Sequence, residues 1–113
     1  MVAINTDLIG DIHRISVVGE IDASSSIELD NAIKEAAKNH KKILIDLQKL
    51  DYISSAGLGV FISYLEDLKN QQIQLVVFGL QETVSEVFSI LGLQHLMNIK
   101  TTEKEAIEFL NEG

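Results

Sequence analysis

The residues best placed to do chemistry are two adjacent serines, Ser54 and Ser55, followed at once by Ala56-Gly57-Leu58-Gly59. An apolar run, Ile43-Leu44-Ile45-Asp46-Leu47, and a short polar turn lead into them, and an amphipathic helix follows. A hydroxyl in the first turn of a helix is a place where a phosphate is well tolerated. The N–H groups there lack intrahelical partners, and the helix dipole favours negative charge. One serine of the pair, Ser54, is expected to cap the helix by accepting from the N–H of Ala56 or Gly57, a role worth ~1 kcal/mol. That role does not account for two serines in succession. The pattern displays a modifiable hydroxyl and does not assemble a catalyst.

Other chemistries lack their residues. His13, His40 and His95 are isolated, with no His-x-x-x-His or Glu-x-x-His spacing, so no metal site is expected. Ser55 does not sit in a Gly-x-Ser-x-Gly elbow. Gly57-Leu58-Gly59 lacks the lysine of a phosphate loop and the third glycine of a dinucleotide fingerprint. Glycines in a first helical turn are instead read as letting that helix lie close to a neighbouring strand. The acids Glu20, Asp22, Asp46 and Asp51 fall near expected strand ends, where solvated turn and capping roles are usual. No catalytic residue and no cofactor is expected.

The elements that must position the serines alternate along the chain, which argues for one α/β domain over residues 1–113. Val2–Thr6 and Ile12–Glu20 are β-rich and joined by a turn at Gly10-Asp11, which predicts a hairpin. Ser25 and Glu28 have the spacing of a capping box, opening a helix with Leu29, Ile33, Ala36 and Ala37 on one face. Ile43–Leu47 reads as a short buried strand. In the helix after the serines, Leu58, Phe61, Ile62, Leu65 and Leu68 keep the core-facing period. Ile73–Phe78 is short and β-branched, a central strand. Thr83 and Glu86 form a second capping box before Val84, Val87, Phe88 and Leu91, with Gly92 placed to end that helix. Met97–Lys100 predicts a last short strand. Thr102 and Glu105 open a terminal helix with Ala106, Phe109 and Leu110 on one side.

Composition narrows the function. The 113 residues carry a net charge of −8, which repels phosphate backbones and anionic lipids and argues against direct nucleic-acid binding. There is no cysteine, so neither disulfides nor a thiolate metal site can form. The N-terminus does not have the pattern of a signal peptide, and no segment approaches the ~20 apolar residues of a membrane span. A cytoplasmic location is expected.

Three stretches carry a family likeness. Gly19-Glu20-Ile21-Asp22, then Asp46-Leu47 through Tyr52-Ile53-Ser54-Ser55-Ala56-Gly57-Leu58-Gly59-Val60, then Phe88-Ser89-Ile90-Leu91-Gly92-Leu93 resemble the anti-sigma factor antagonists of the STAS fold. The likeness spans essentially the whole chain, in order and spacing. It implies a single STAS domain of α/β class, with a mixed four- to five-stranded sheet and about four helices packed mainly on one side. It also implies partner switching in a bacterial cytoplasm. The unmodified protein, expected to be a monomer, binds an anti-sigma factor that is also a serine-protein kinase, and so frees a sigma factor. Phosphorylation breaks that complex and a serine phosphatase restores it.

Family members typically read Asp-Ser-Ser/Thr-Gly-Leu-Gly, with the first serine modified. Aligned on Gly57, that serine falls on Ser55, the family's aspartate on Ser54 and the following Ser/Thr on Ala56. Ser54 therefore removes a charge beside the modified hydroxyl and becomes a competing acceptor. Asp22 is then the main carboxylate expected near Ser55, and Asp22, Ser54, Ala56, Gly57, Leu58 and Gly59 make up the expected surroundings and interface. Two other readings stay open on sequence grounds. One is a STAS module serving as a soluble subunit of a transporter or signalling assembly, and the other is a small enzyme or nucleotide-binding domain using the Ser55–Gly59 turn.

Overall fold

The structure, a computed structural model, describes residues 2–112. The expected hairpin forms from β1 (Val2–Ile9) and β2 (Ile12–Ile21), antiparallel and closed by Gly10 and Asp11. One edge of β2 holds β1. The other edge serves two strands in succession, both parallel to it: β3 (Lys42–Asp46) beside Ile12–Ser16, then β4 (Leu50–Ile53) beside Gly19–Ile21. Beyond β3 lie β5 (Gln74–Phe78) and β6 (Asn98–Lys100), also parallel.

The mixed sheet thus has six strands rather than the four or five expected. The segment of β4 reads in the sequence as a polar turn. It has only four residues, with Leu50 and Ile53 buried and Asp51 and Tyr52 exposed, too short to show a period. Its pairing is non-local and includes a bulge: Gly19 pairs with Leu50 and Glu20 with Tyr52, so Asp51 of β4 is the extra residue. The register shifts between Gly19 and Glu20, Gly19 has φ +104°, and its N–H donates to Lys49 O at 2.9 Å. Such backbone is open to glycine and strained for other residues.

Alternate strand residues face two separate cores. Ile15, Val17, Ile43, Ile45 and Val77 pack under α1 (Ser26–Asn39), α2 (Ser55–Asn70) and α3 (Glu82–Ile90), against Leu29, Ile33, Ala36, Leu58, Phe61, Val84 and Phe88. Ile12, Leu44, Val76 and Phe78 on the other face meet Ala106 and Leu110 of α4 (Glu103–Glu112). Three helices therefore share one side and the fourth covers part of the other. Each large apolar side chain fully buried in these layers contributes roughly 1.5–3 kcal/mol. No helix among the described residues is long and apolar enough to cross a membrane.

Helix details depart from the pattern at named places. Ile62 is 46% exposed, whereas Leu58, Phe61 and Leu68 are buried. It lies one residue past Phe61, rotated off the stripe that meets the sheet. α3 starts at Glu82 with Gln81 at its cap, so Thr83 lies inside the helix and makes no capping box. Gln81 is fixed there because its side-chain amide donates to Gln48 O at 3.1 Å and Asp51 Oδ1 at 3.0 Å. At α4 the expected pairing does form: Thr102 Oγ1 accepts from the N–H of Glu105 and donates to Glu105 Oε1, both at 3.2 Å. Gly92, at φ +71°, follows the last turn of α3 as expected.

Candidate functional site

β2 and β4 end level with each other, Ile21 beside Ile53, and both chains then turn into helices on the same side. This parallel exit brings Asp22 next to Ser54. The N–H of Ser54 donates to Ile21 O at 2.8 Å, so the start of α2 is tied to the last residue of β2.

The two serines have different surroundings. Ser54 is half-buried, with extended backbone (φ −81°, ψ 169°), and its Oγ accepts from the N–H of Gly57 at 3.2 Å. Its carbonyl accepts from Leu58 N at 3.0 Å. It is a true N-cap, as the sequence suggested. Ser55, the first helical residue, is exposed, and its hydroxyl has no hydrogen-bond partner among the described residues. Ala56 beside it is also exposed.

The two glycines of the turn differ as well. A β-carbon on Gly57 would stand 2.8 Å from Ile21 Cγ2 and 2.8 Å from Ile53 Cγ1, so only glycine lets α2 press this closely on the ends of β2 and β4. Gly59 is exposed and an added β-carbon would meet nothing within 4 Å. Close strand approach accounts for Gly57 and not for Gly59, which corrects the shared reading of both. Leu58, 3% exposed, points inward and anchors the turn in the core rather than lining its surface.

Asp22 is near, but its carboxylate is engaged elsewhere. Its Oδ1 accepts from Ser25 N at 2.8 Å, Ser25 Oγ at 2.8 Å and Ser24 Oγ at 2.9 Å. The Ser25 N–H chiefly, then the hydroxyls of Ser25 and Ser24, hold its pKa down at about 2. Asp22 is thus a fixed anion beside the serine turn, and no hydrogen bond joins it to Ser55 among the described residues. The same network overturns the first expected capping box. Ser25 has helical backbone (φ −78°, ψ −11°), its side chain caps nothing, and its Oγ accepts from Asp22 N at 2.8 Å instead. Asp22 supplies the acceptor for the start of α1. Its spacing to Ser25, three residues on, was the signal that could have shown this.

No catalytic arrangement surrounds the turn. His13 lies near the start of β2, eight residues from the end that meets Ser54, and His95 lies in a 3-10 turn (Leu93–His95) after α3. Among the described residues no group of three or more His, Asp or Glu could hold a metal ion. What the geometry offers is an accessible hydroxyl on a helix N-terminus, with one carboxylate nearby and a rigid floor of Ile21 and Ile53.

Known proteins share this fold. The sequence profile of the STAS domain matches residues 3–106. An anti-sigma-B factor antagonist of Listeria monocytogenes is 37% identical over 92 residues, covering 80% of this chain and 81% of its own. Among solved structures, an anti-sigma factor antagonist from Mycobacterium paratuberculosis superposes with a TM-score of 0.90 at 20% identity, covering 98% of this chain and 95% of that one. The Bacillus cell fate determinant SpoIIAA in its phosphorylated form gives a TM-score of 0.72 at 22% identity, covering 94% and 97%. With its fold, its serine turn and a profile match over nearly its full length, this chain belongs to the STAS domain family.

Proposed function

We propose that this protein is an anti-sigma factor antagonist that works in the bacterial cytoplasm by partner switching, with Ser55 as the switch. The observation that carries the reading is the division of labour in the turn. Ser54 serves as the cap, and Ser55 keeps an exposed hydroxyl with no hydrogen-bond partner among the described residues. The Listeria relative, named an anti-sigma-B factor antagonist, supports the class of partner. The Bacillus structure, described as a phosphorylated form, supports modification within this fold.

In this reading the unmodified face around Ser55, Ala56 and Gly59 binds an anti-sigma factor with serine-protein kinase activity and frees its sigma factor. The kinase transfers a phosphoryl group to Ser55 Oγ, and a serine phosphatase hydrolyses it. The protein is the substrate and binding module, not the enzyme. A phosphate brings roughly −1.5 to −2 charges at pH 7. The N–H groups that open α2 stabilise it locally, so the fold persists. At the interface the same charge adds bulk, loses solvation and stands beside the fixed anion Asp22. Binding is lost without unfolding.

The test uses wild type and Ser55→Asp as paired baits in lysate of the native organism, read by mass spectrometry, with melting temperatures measured alongside. Wild type should retain an ATP-binding kinase-like protein and the folded Ser55→Asp variant should not. Ser55→Ala should bind that kinase and take up no phosphate. Equal retention by both baits would sink the reading, and phosphate on Ser55→Ala would move the acceptor to Ser54.

A further inference from the structure

At the end of the sheet remote from Ser55, His13 of β2 faces His40, the residue that closes α1. The two rings lie edge to face, centroids 4.8 Å apart and planes at 66°. The stretch of β2 from His13 to Ile21 separates this pair from the serine turn by about 27 Å. Both ring nitrogens of His13 and Nδ1 of His40 are buried, and none has a hydrogen-bond partner among the described residues. Buried polar atoms are nearly always bonded, so three orphans on two touching rings mark a place where the closed arrangement is held by packing alone.

A proton added to His13 finds no acceptor among the described residues while the rings stay together. A protonated imidazole donates from both nitrogens, and no acceptor faces the buried ones. Burial foremost, then the nearby His40, lowers the pKa of His13 below its usual value, and Asp7 of β1 opposes this. Asp7 is itself committed to Arg14 through two hydrogen bonds, at 2.9 and 2.7 Å. From β3, the residue beside His13 is the apolar Ile43, while Lys42 is paired with Asp11. On the last turn of α1, Lys38 is paired with Glu35.

We propose that the His13–His40 pair is a proton-sensitive latch, which clamps the C-terminal end of α1 onto β2 when neutral and releases that end when protonated. A released histidine takes its proton near pH 6.5, whereas closed His13 takes one only at lower pH. The closed form is therefore fully favoured above about pH 6.5 and loses ground as the pH falls below it. Release begins at the last backbone bond of α1, where His40 N–H donates to Ala36 O at 3.1 Å. α2, whose first bond runs from Leu58 N to Ser54 O, stays closed.

Amide hydrogen exchange on the full chain, expressed as protection factors at about pH 7.5 and about pH 5, tests this directly. Protection of the His40 amide should fall at least about tenfold at the lower pH, while that of Leu58 changes by less than about threefold. His13→Phe, which keeps a buried ring and removes its nitrogens, should abolish the difference. Should that variant fail to fold, His40→Gln serves the same comparison. Unchanged protection of His40 in wild type, an equal loss at Leu58, or a full response in the variant would each overturn the latch.

Discussion

Two helices begin side by side at one end of this sheet, and they treat their serines in opposite ways. At α1, Ser24, Ser25 and Ser26 are all engaged: two donate to Asp22 and the third donates to Ala23 O at 2.7 Å. At α2, Ser54 takes the capping bond and the Ser55 hydroxyl takes none among the described residues. Two of the three bonds at α1 trace to one residue. Three positions before Ser25 stands the carboxylate of Asp22; three before Ser55 stands Tyr52. A local acid consumes the hydroxyls near it, and its absence leaves Ser55 available. A hydroxyl oxygen caps α2 at Ser54, and Asp22 directly follows the last residue of the neighbouring strand β2.

The contrast extends to the glycines, and substitutions there separate packing from presentation. The largest effect on stability is expected from Gly57→Val. Its β-carbon collides with Ile21 and Ile53, so it should cost about 2–3 kcal/mol in denaturant unfolding and shift the whole α2 start. A loss below about 0.5 kcal/mol, the level of a neutral surface change, would show that α2 is not pinned to those strand ends.

Ser54→Ala comes next. It removes the acceptor for Gly57 N–H and should cost ~1 kcal/mol, whereas Ser55→Ala should change stability by less than about 0.5 kcal/mol. Equal losses at the two positions would erase the distinction between cap and displayed hydroxyl. Gly59→Ala should do the reverse of Gly57→Val. With open space around it, the added methyl should raise stability by about 0.5–1 kcal/mol through helix propensity. On the proposed function it should also weaken kinase binding, which calorimetry with the purified partner would read.

The smallest effect is expected at Asp22, which is exposed. Its folded-state pKa of about 2 lies below the ordinary 3.8, so its contribution is present above about pH 4 and lost as the pH falls through about 2. Asp22→Asn should therefore flatten the dependence of melting temperature on pH between about 4 and 2 and leave the profile near pH 7 almost unchanged in shape. An unaltered acid limb would mean that the Ser24–Ser25 network does not hold the carboxylate.

Reading the chain without its fold reached the α/β class, the hairpin, the strand expected at Ile73–Phe78 and formed at Gln74–Phe78, and the cap at Ser54, because each is written in local periodicity or a capping residue. It missed β4, whose four residues gain their identity from pairing with β2 across the register shift at Asp51. It gave Ser25 the cap that belongs to Asp22, since both residue types suit a helix start and only the folded loop shows which one faces the N–H. It read Thr83 in the same way, whereas α3 starts two residues earlier, with Gln81 at the cap held by its contacts to Gln48 and Asp51.

The sequence by itself determined where apolar faces and helix starts fall, because those depend on residues within three or four positions of one another. It thereby determined that a hydroxyl at Ser54 or Ser55 would open α2. Only the tertiary structure decided which hydroxyl is displayed, that Gly57 is packed while Gly59 is open, and that Asp22 stands beside the turn without bonding to Ser55. Those outcomes depend on Ile21 and Ile53 ending side by side, a contact between residues 32 positions apart in the chain. No local pattern records such a contact.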